Sequence, residues 1–282
     1  MPQKTLSNFD LPSIVKAIEF VHHPPVNVNV QQLLEGRHPM QRRLVFEELL
    51  AHRLCLRRLK AKRAVRKAVA LQDAHDQQEA FIAQLPFDLT DAQERAVEQI
   101  NHDLSLGQPM MRLLQGDVGS GKTLVAILAM LKAVSSGYQC ALMVPTEVLA
   151  EQHYLNIEHY LSPLGIEVCY LVSSIKASAR KDAISNLKSG QVKVVIGTQA
   201  LFQEGIEFYN LALVIIDEQH RFGVDQRRQL LEKGAQDDVI PHQLLMTATP
   251  IPRTLAMTTY ADLDITVLDE LPKGRQGIVT RA

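Results

Sequence analysis

Arg112-Leu113-Leu114-Gln115-Gly116-Asp117-Val118-Gly119-Ser120-Gly121-Lys122-Thr123, continuing into Leu124-Val125-Ala126-Ile127-Leu128-Ala129-Met130-Leu131, is the stretch on which the fold turns. Its first four residues have an apolar centre and read as a strand. Its last eight are apolar throughout and read as a buried helix. Between them Gly116 to Thr123 matches G-x-x-x-x-G-K-[ST], the phosphate-binding P-loop. Glycines there let backbone N–H groups close around phosphate oxygens, and the helix start adds partial positive charge. The motif assigns Gly116, Asp117, Val118, Gly119, Ser120, Gly121, Lys122 and Thr123 to a nucleotide. Lys122 reaches the β- and γ-phosphates and Thr123 holds Mg²⁺.

A P-loop needs a partner acid. Leu211-Ala212-Leu213-Val214-Ile215-Ile216 is a continuous apolar run, as expected of a parallel strand covered on both faces. It ends in Asp217-Glu218-Gln219-His220, and the carboxyl ends of such strands are where open α/β sheets bind ligands. Asp217 is expected to hold Mg²⁺, through water. Glu218, one residue on, is placed to orient and deprotonate an attacking water.

Working outward, strands are expected near residues 110–115, 139–144, 167–172, 193–197, 211–217 and 242–247. Helical patterns at 122–136, 146–161 and 176–188 fall between them. Alternation of this kind predicts an α/β fold, a parallel sheet with helices on both faces, over residues 86–282. Residues 38–85 read as helix, about 70 Å long if unbroken, with a break expected between 70 and 76 where apolar spacing lapses. Residues 1–37 are mixed, with one short helix expected at 13–21.

The 282 residues carry a formal charge of −1, so net charge alone selects no partner. The distribution is uneven: residues 53–67 hold eight basic side chains and no acid. That segment can follow a phosphate backbone or serve as a solvated face packed elsewhere. Cys55, Cys140 and Cys169 show no metal or redox spacing, and the last two sit in apolar runs as buried thiols. No apolar stretch reaches membrane-spanning length and residues 1–30 lack a signal-peptide pattern, so a cytoplasmic protein is expected.

Further strand ends carry a series of short motifs. Residues 89–93 (LTDAQ) precede the P-loop, with Thr90 able to cap a helix. Residues 143–147 (MVPTE), 195–199 (VIGTQ) and 246–250 (MTATP) each follow a strand. With GDVGSGKT and DEQH, this order resembles the first motor domain of superfamily 2 helicases, a RecA-like P-loop domain. Residues 217–224 (DEQHRFGV) and 246–264 (MTATPIPRTLAMTTYADLD) more narrowly resemble the RecG family of bacterial branched-DNA helicases. That resemblance runs from about residue 85 to 275. The helical stretch from His38 resembles the RecG segment leading into the motor, and residues 1–37 the tail of the RecG wedge region. The Mfd family of transcription-repair translocases shares RFGV and TPIPRTL. It typically has DEEH and a phenylalanine in the P-loop, where this chain has Gln219 and Ser120.

The resemblance implies roles at matching positions. Gln93 would sense adenine. Pro145, Thr146, Gly197 and Thr198 would contact the nucleic-acid backbone, which positions DNA without reading its sequence. His220, Thr247 and Thr249 would couple the γ-phosphate to the DNA site. Arg253 matches the start of the TPIPRTL helix and receives no assigned partner. The resemblance further implies ATP and Mg²⁺ as cofactors, branched or duplex DNA as partner, and a monomer. A second motor domain of the same longer chain would complete the ATP cleft. Its motifs do not occur within these residues, so the chain is expected to act as the ATP-binding half of such a motor, with little turnover alone. The activity implied is ATP-driven duplex translocation, fork reversal and Holliday-junction branch migration in DNA repair and recombination. Two alternatives stay open: an Mfd-like translocase, and a nucleotide- or DNA-binding module without turnover.

Overall fold

Among the described residues seven parallel strands form the sheet, in the order β3-β4-β2-β5-β6-β1-β7. They are β1 (Met111–Gly116), β2 (Gln139–Met143), β3 (Val168–Leu171), β4 (Val194–Gly197), β5 (Leu211–Ile216), β6 (His242–Thr247) and β7 (Asp264–Leu268). This computed structural model describes residues 3–72, 74–203, 205–218, 239–249 and 263–270. Every residue of β2, β4, β5 and β6 is buried, which explains why these strands read as apolar runs rather than alternations.

The core shows directly that both faces are covered. Successive strand residues point to opposite faces. Leu114, Cys140, Leu142, Ile196, Leu213, Ile215, Leu244 and Met246 pack in one apolar cluster with α6 (Asp91–Leu104), α7 (Lys122–Ser135) and α8 (Glu147–Leu161). Their immediate neighbours Leu113, Ala141, Met143, Val195, Val214, Ile216 and Leu245 pack in a second cluster with α9 (Ala177–Ser189). The expected α/β architecture is therefore present. α7 is buried from Val125 through Ala133, as its apolar run requires, and the one charge in that stretch, Lys132, donates to Asn101 O and Ser105 Oγ.

Two details depart from the sequence reading. β7 was not anticipated; it is an edge strand whose sequence, DITVL, carries two polar residues. The break in the helical region comes earlier than residue 70. Helix α4 (Pro39–Ala64) ends and α5 (His75–Ile82) begins only after an extended segment. That segment is fastened to the amino-terminal edge of the sheet region. Ala68 N–H donates to Gly107 O, Leu71 N–H to Leu104 O, and Ile240 N–H to Lys67 O. Cys140 is fully buried as expected, whereas Cys169 is only half-buried because β3 lies at the other edge.

The chain packs as two units, Met1–Ala61 and Lys62–Ala282. The first is helical: α1 (Gln3–Asn8), α2 (Ile14–His22), α3 (Val30–Leu34) and most of α4. Within it Phe9 packs on Phe46 and Phe20 stacks on His38. The buried Arg43 guanidinium donates to Pro12 O at 3.0 Å and pairs with Glu47. Among the described residues no helix is long and apolar enough to cross a membrane.

Candidate nucleotide site at the carboxyl edge of the sheet

The loop from β1 to α7 takes the shape its glycines permit. Gly119 and Gly121 have φ of 81° and 89°, in the left-handed region that side chains avoid. Gly121 is the N-cap of α7 and supplies no side-chain cap, so the first N–H groups of the helix are left for a ligand. Space forbids a side chain there as well: a Cβ on Gly121 would stand 2.1 Å from Gln93 Nε2. Asp117, Val118 and Gly119 are exposed at the loop tip, while Ser120 is buried. Lys122 Nζ folds back on the loop, donating to Gly116 O at 2.7 Å and Asp117 O at 2.9 Å.

Gln93 is 1% exposed and engaged at both ends of its amide. Its Oε1 accepts from Thr90 N–H, completing a capping box at the start of α6, and its Nε2 donates to Ser120 O at 2.9 Å. In this state the side chain braces the P-loop rather than facing outward toward a base.

The acid pair closes the site from β5. Asp217 N–H donates to Met143 O at the end of β2, which fixes the strand end. The Asp217 carboxylate is held at both oxygens: Oδ1 accepts from Glu218 N–H at 2.9 Å and Oδ2 from His153 Nε2 at 3.0 Å. Glu218 has φ of 49°, an unusual conformation for a residue with a Cβ. Asp217, Glu218 and Asp117 all lie near enough to Lys122 to raise its pKa, but burial outweighs them and the net shift is downward. The P-loop after β1 and the acid pair after β5 thus lie at the same carboxyl edge of the sheet, with Lys122 within reach of the acids' charge.

The remaining predicted residues fall along the same edge. Thr247, buried at the end of β6, exchanges a 2.8 Å hydroxyl contact with Thr249 and accepts from Thr249 N–H. Val144 N–H donates to Gly197 O, which brings Pro145 and Thr146 beside Gly197 and Thr198. Thr146 is exposed and caps α8 by accepting from Leu149 N–H. Gly197 cannot carry a side chain, since a Cβ would lie 2.1 Å from Leu171 O. His220 and Arg253 lie outside the described residues. On the far side of the P-loop, a cleft of about 200 Å³ is lined by Gln115, Gly116, Asp117 and the end of β7 through Glu270.

Sequence reasoning missed two contributors. His153 is one, 64 positions from the aspartate it holds. The other is the Asp269–Glu270 pair after β7. Glu270 accepts from Ala92 N–H in the first turn of α6, and Arg95 pairs with both acids. Neither had a sequence signal, because both depend on which strands become neighbours. Among the described residues no three His, Cys, Asp or Glu side chains converge as a metal cage.

The arrangement has the form of a P-loop nucleotide site, beside which the known proteins this chain resembles can be set. The DEAD/DEAH box helicase family matches residues 90–258. The chain belongs to that family. Similar curated proteins are ATP-dependent DNA helicases RecG: 55% identical over 270 residues in Pasteurella multocida and 53% over 268 in Haemophilus influenzae. These matches cover 96% and 95% of this chain but 39% of each relative, so the chain spans about two fifths of the length of the helicases it matches. A structure of RecG bound to a three-way DNA junction superposes with a TM-score of 0.83 at 40% identity. It covers 99% of this chain and 36% of that protein. This DEAD/DEAH box domain thus has RecG as its near likeness, in sequence and in fold.

Proposed function

We propose that this chain is the ATP-binding motor domain of a RecG-like DNA helicase. The observation that carries the reading is a glycine-shaped P-loop after β1, with Lys122 on its carbonyls, at the same carboxyl edge as Asp217 and Glu218 after β5. Lys122 already donates to two carbonyl oxygens in the loop. In the ATP complex it turns those donors to β- and γ-phosphate oxygens and stabilises the charge that spreads over the transferring phosphoryl group. Glu218 orients a water in line with the γ-phosphorus and takes its proton as the bond to the β-γ bridging oxygen breaks. ADP and phosphate leave.

The residues present suit Mg²⁺. Thr123 and Asp217 offer hard oxygen donors, and each Asp217 oxygen keeps a lone pair beyond the hydrogen bond it accepts. Mg²⁺ ordinarily takes one or two protein oxygens together with water and substrate phosphates, and there it would neutralise charge on the β- and γ-oxygens. Thr123 and Asp217 would hold it, and Gln93 would exchange its contact with Ser120 O for the adenine edge.

Thr146, Gly197 and Thr198 supply backbone N–H groups and hydroxyls suited to the phosphates of a DNA strand, and Pro145, which has no N–H to donate, meets that strand through its ring. Thr247, Thr249 and His220 relate that surface to the nucleotide. In the whole protein, a second motor domain of the same chain would complete the cleft, and hydrolysis would drive duplex translocation, fork reversal and branch migration during repair and recombination. Such a protein works as a monomer in the bacterial cytoplasm. The test is the ATPase rate of this chain, and of a chain extended to the length of its RecG relatives, with and without forked DNA. Strong stimulation of the extended chain alone supports the reading. No response to DNA from either would leave a nucleotide-binding module.

A further inference from the structure

We infer that His153 is a positioning residue for Asp217, and that helix α8 reaches the nucleotide site through it. The inference rests on the reading of Asp217 as the acid of an ATPase site. His153 lies on α8 seven residues after the N-cap Thr146, about two helical turns along the same face. Its Nε2 is 3.0 Å from Asp217 Oδ2, and the side chains are 13% and 15% exposed. A carboxylate only accepts, so Nε2 carries the proton and donates it.

Removing this donor leaves Asp217 with one fixed oxygen, Oδ1, and frees the carboxylate to rotate. The next residue feels the change directly. Glu218 N–H donates to Asp217 Oδ1, and Glu218 keeps a left-handed backbone at φ 49°. Such a conformation persists where its surroundings hold it. The His153 contact is thus one of the links that hold Asp217, and through it Glu218, in place.

The same helix begins at Thr146, beside the Gly197–Thr198 strand end proposed to meet the DNA backbone. One rigid element therefore has its start at that edge and its second turn on the nucleotide-site acid. A shift of α8 on DNA engagement moves His153, and with it Asp217. This contact is separate from the Thr247–Thr249 pair, which lies on a different strand.

The experiment compares His153→Ala and His153→Gln with the unsubstituted protein at full length. Gln places an amide donor near the position of Nε2. Two readouts are taken: kcat and KM for ATP with forked DNA, and the thermal shift given by ADP with and without Mg²⁺. For His153→Ala we expect kcat to fall about 10–100-fold, the usual cost of removing the outer partner of a metal-binding carboxylate. KM should stay within about threefold, and the Mg²⁺-dependent part of the ADP shift should shrink while the metal-free part remains. His153→Gln should recover most of both. Unchanged kcat and Mg²⁺ dependence in His153→Ala would overturn the inference. So would equal losses in both variants accompanied by a lower Tm, which would mark a packing role. If the unsubstituted full-length protein shows no DNA-stimulated hydrolysis, the ATPase reading fails first and the inference with it.

Discussion

The two edges of the sheet handle buried polar groups in opposite ways. At the amino-terminal edge most such groups are spent inside the protein, the buried Asn210 Oδ1 being an exception without a partner among the described residues. Gln139, fully buried at the start of β2, donates to Leu187 O and Val192 O and accepts from Tyr209 N–H and Asn210 N–H. Arg112 forks onto Asp103 at 2.7 and 2.9 Å and reaches Gln99 and Thr266. His242 accepts from Met110 N–H and donates to Val69 O. At the carboxyl edge the groups are provisionally paired or strained. Lys122 rests on loop carbonyls, Glu218 has a positive φ, and the buried Ser120 Oγ has no partner among the described residues. A fold satisfies buried polar atoms where it needs only rigidity, and leaves them exchangeable where a ligand is to complete them.

The sharpest break of this contrast is Lys122→Ala. It should lower the ATPase rate of the full-length protein by about 10²–10³-fold, the effect of removing one preorganised donor from a charged transition state. The ADP-induced thermal shift of this chain should vanish, while Tm without nucleotide stays near its original value. Glu218→Gln should keep that shift and lose turnover to a similar degree. A Lys122→Ala protein that unfolds more easily yet still hydrolyses ATP would reverse the assignment of the two edges.

Arg112→Ala should behave the other way round. Removing one partner of a largely buried ion pair costs about 3 kcal/mol, as the remaining Asp103 is left without its charge partner. Urea denaturation should show the loss, and the ADP affinity of the folded fraction should not change. Gly121→Ala lies between the two. Its φ of 89° and the 2.1 Å approach of Gln93 Nε2 predict about 1–3 kcal/mol of strain, with weakened nucleotide binding at the same time. If Gly121→Ala bound ADP normally, the Gln93 brace would be dispensable.

The sequence was most legible where local chemistry and fold agree. The P-loop glycines, the apolar runs of β5 and β6 and the acids after β5 each announce themselves, and the comparisons place the whole among DEAD/DEAH box helicases. Illegible features were those fixed by tertiary neighbours. Residues 65–70 continue a basic, alanine-containing helical pattern, yet the chain turns at 65–66 and runs extended from Lys67, because Lys67 and Ala68 find backbone partners and Val69 the His242 ring at the base of the sheet. The short run at β7 becomes a strand only because β1 offers it an edge. His153 is one histidine among ten until β5 brings Asp217 to it. Local propensity cannot foresee such contacts, since each joins segments far apart in the chain.

The smallest expected effect is also the cleanest probe of the satisfied edge. Burial holds the His242 pKa below its ordinary value, against the opposing pull of the Val69 carbonyl and the Asp103 charge. Both ring nitrogens are committed, and protonating Nδ1 would cost the bond from Met110 N–H. Between the folded and unfolded pKa values the unfolded chain binds more protons than the native one, so stability rises with pH there. The contribution of His242 is present above about pH 6.5 and is lost as pH falls through the lower folded value. Urea midpoints measured from neutral pH into this acid range should fall more steeply for the unsubstituted chain than for His242→Gln, which cannot titrate. Other histidines contribute to both slopes alike, so the difference isolates this one. Parallel slopes would mean that the clamp on residues 67–69 does not depend on a neutral imidazole, and that the amino-terminal edge is less tightly committed than its hydrogen bonds indicate.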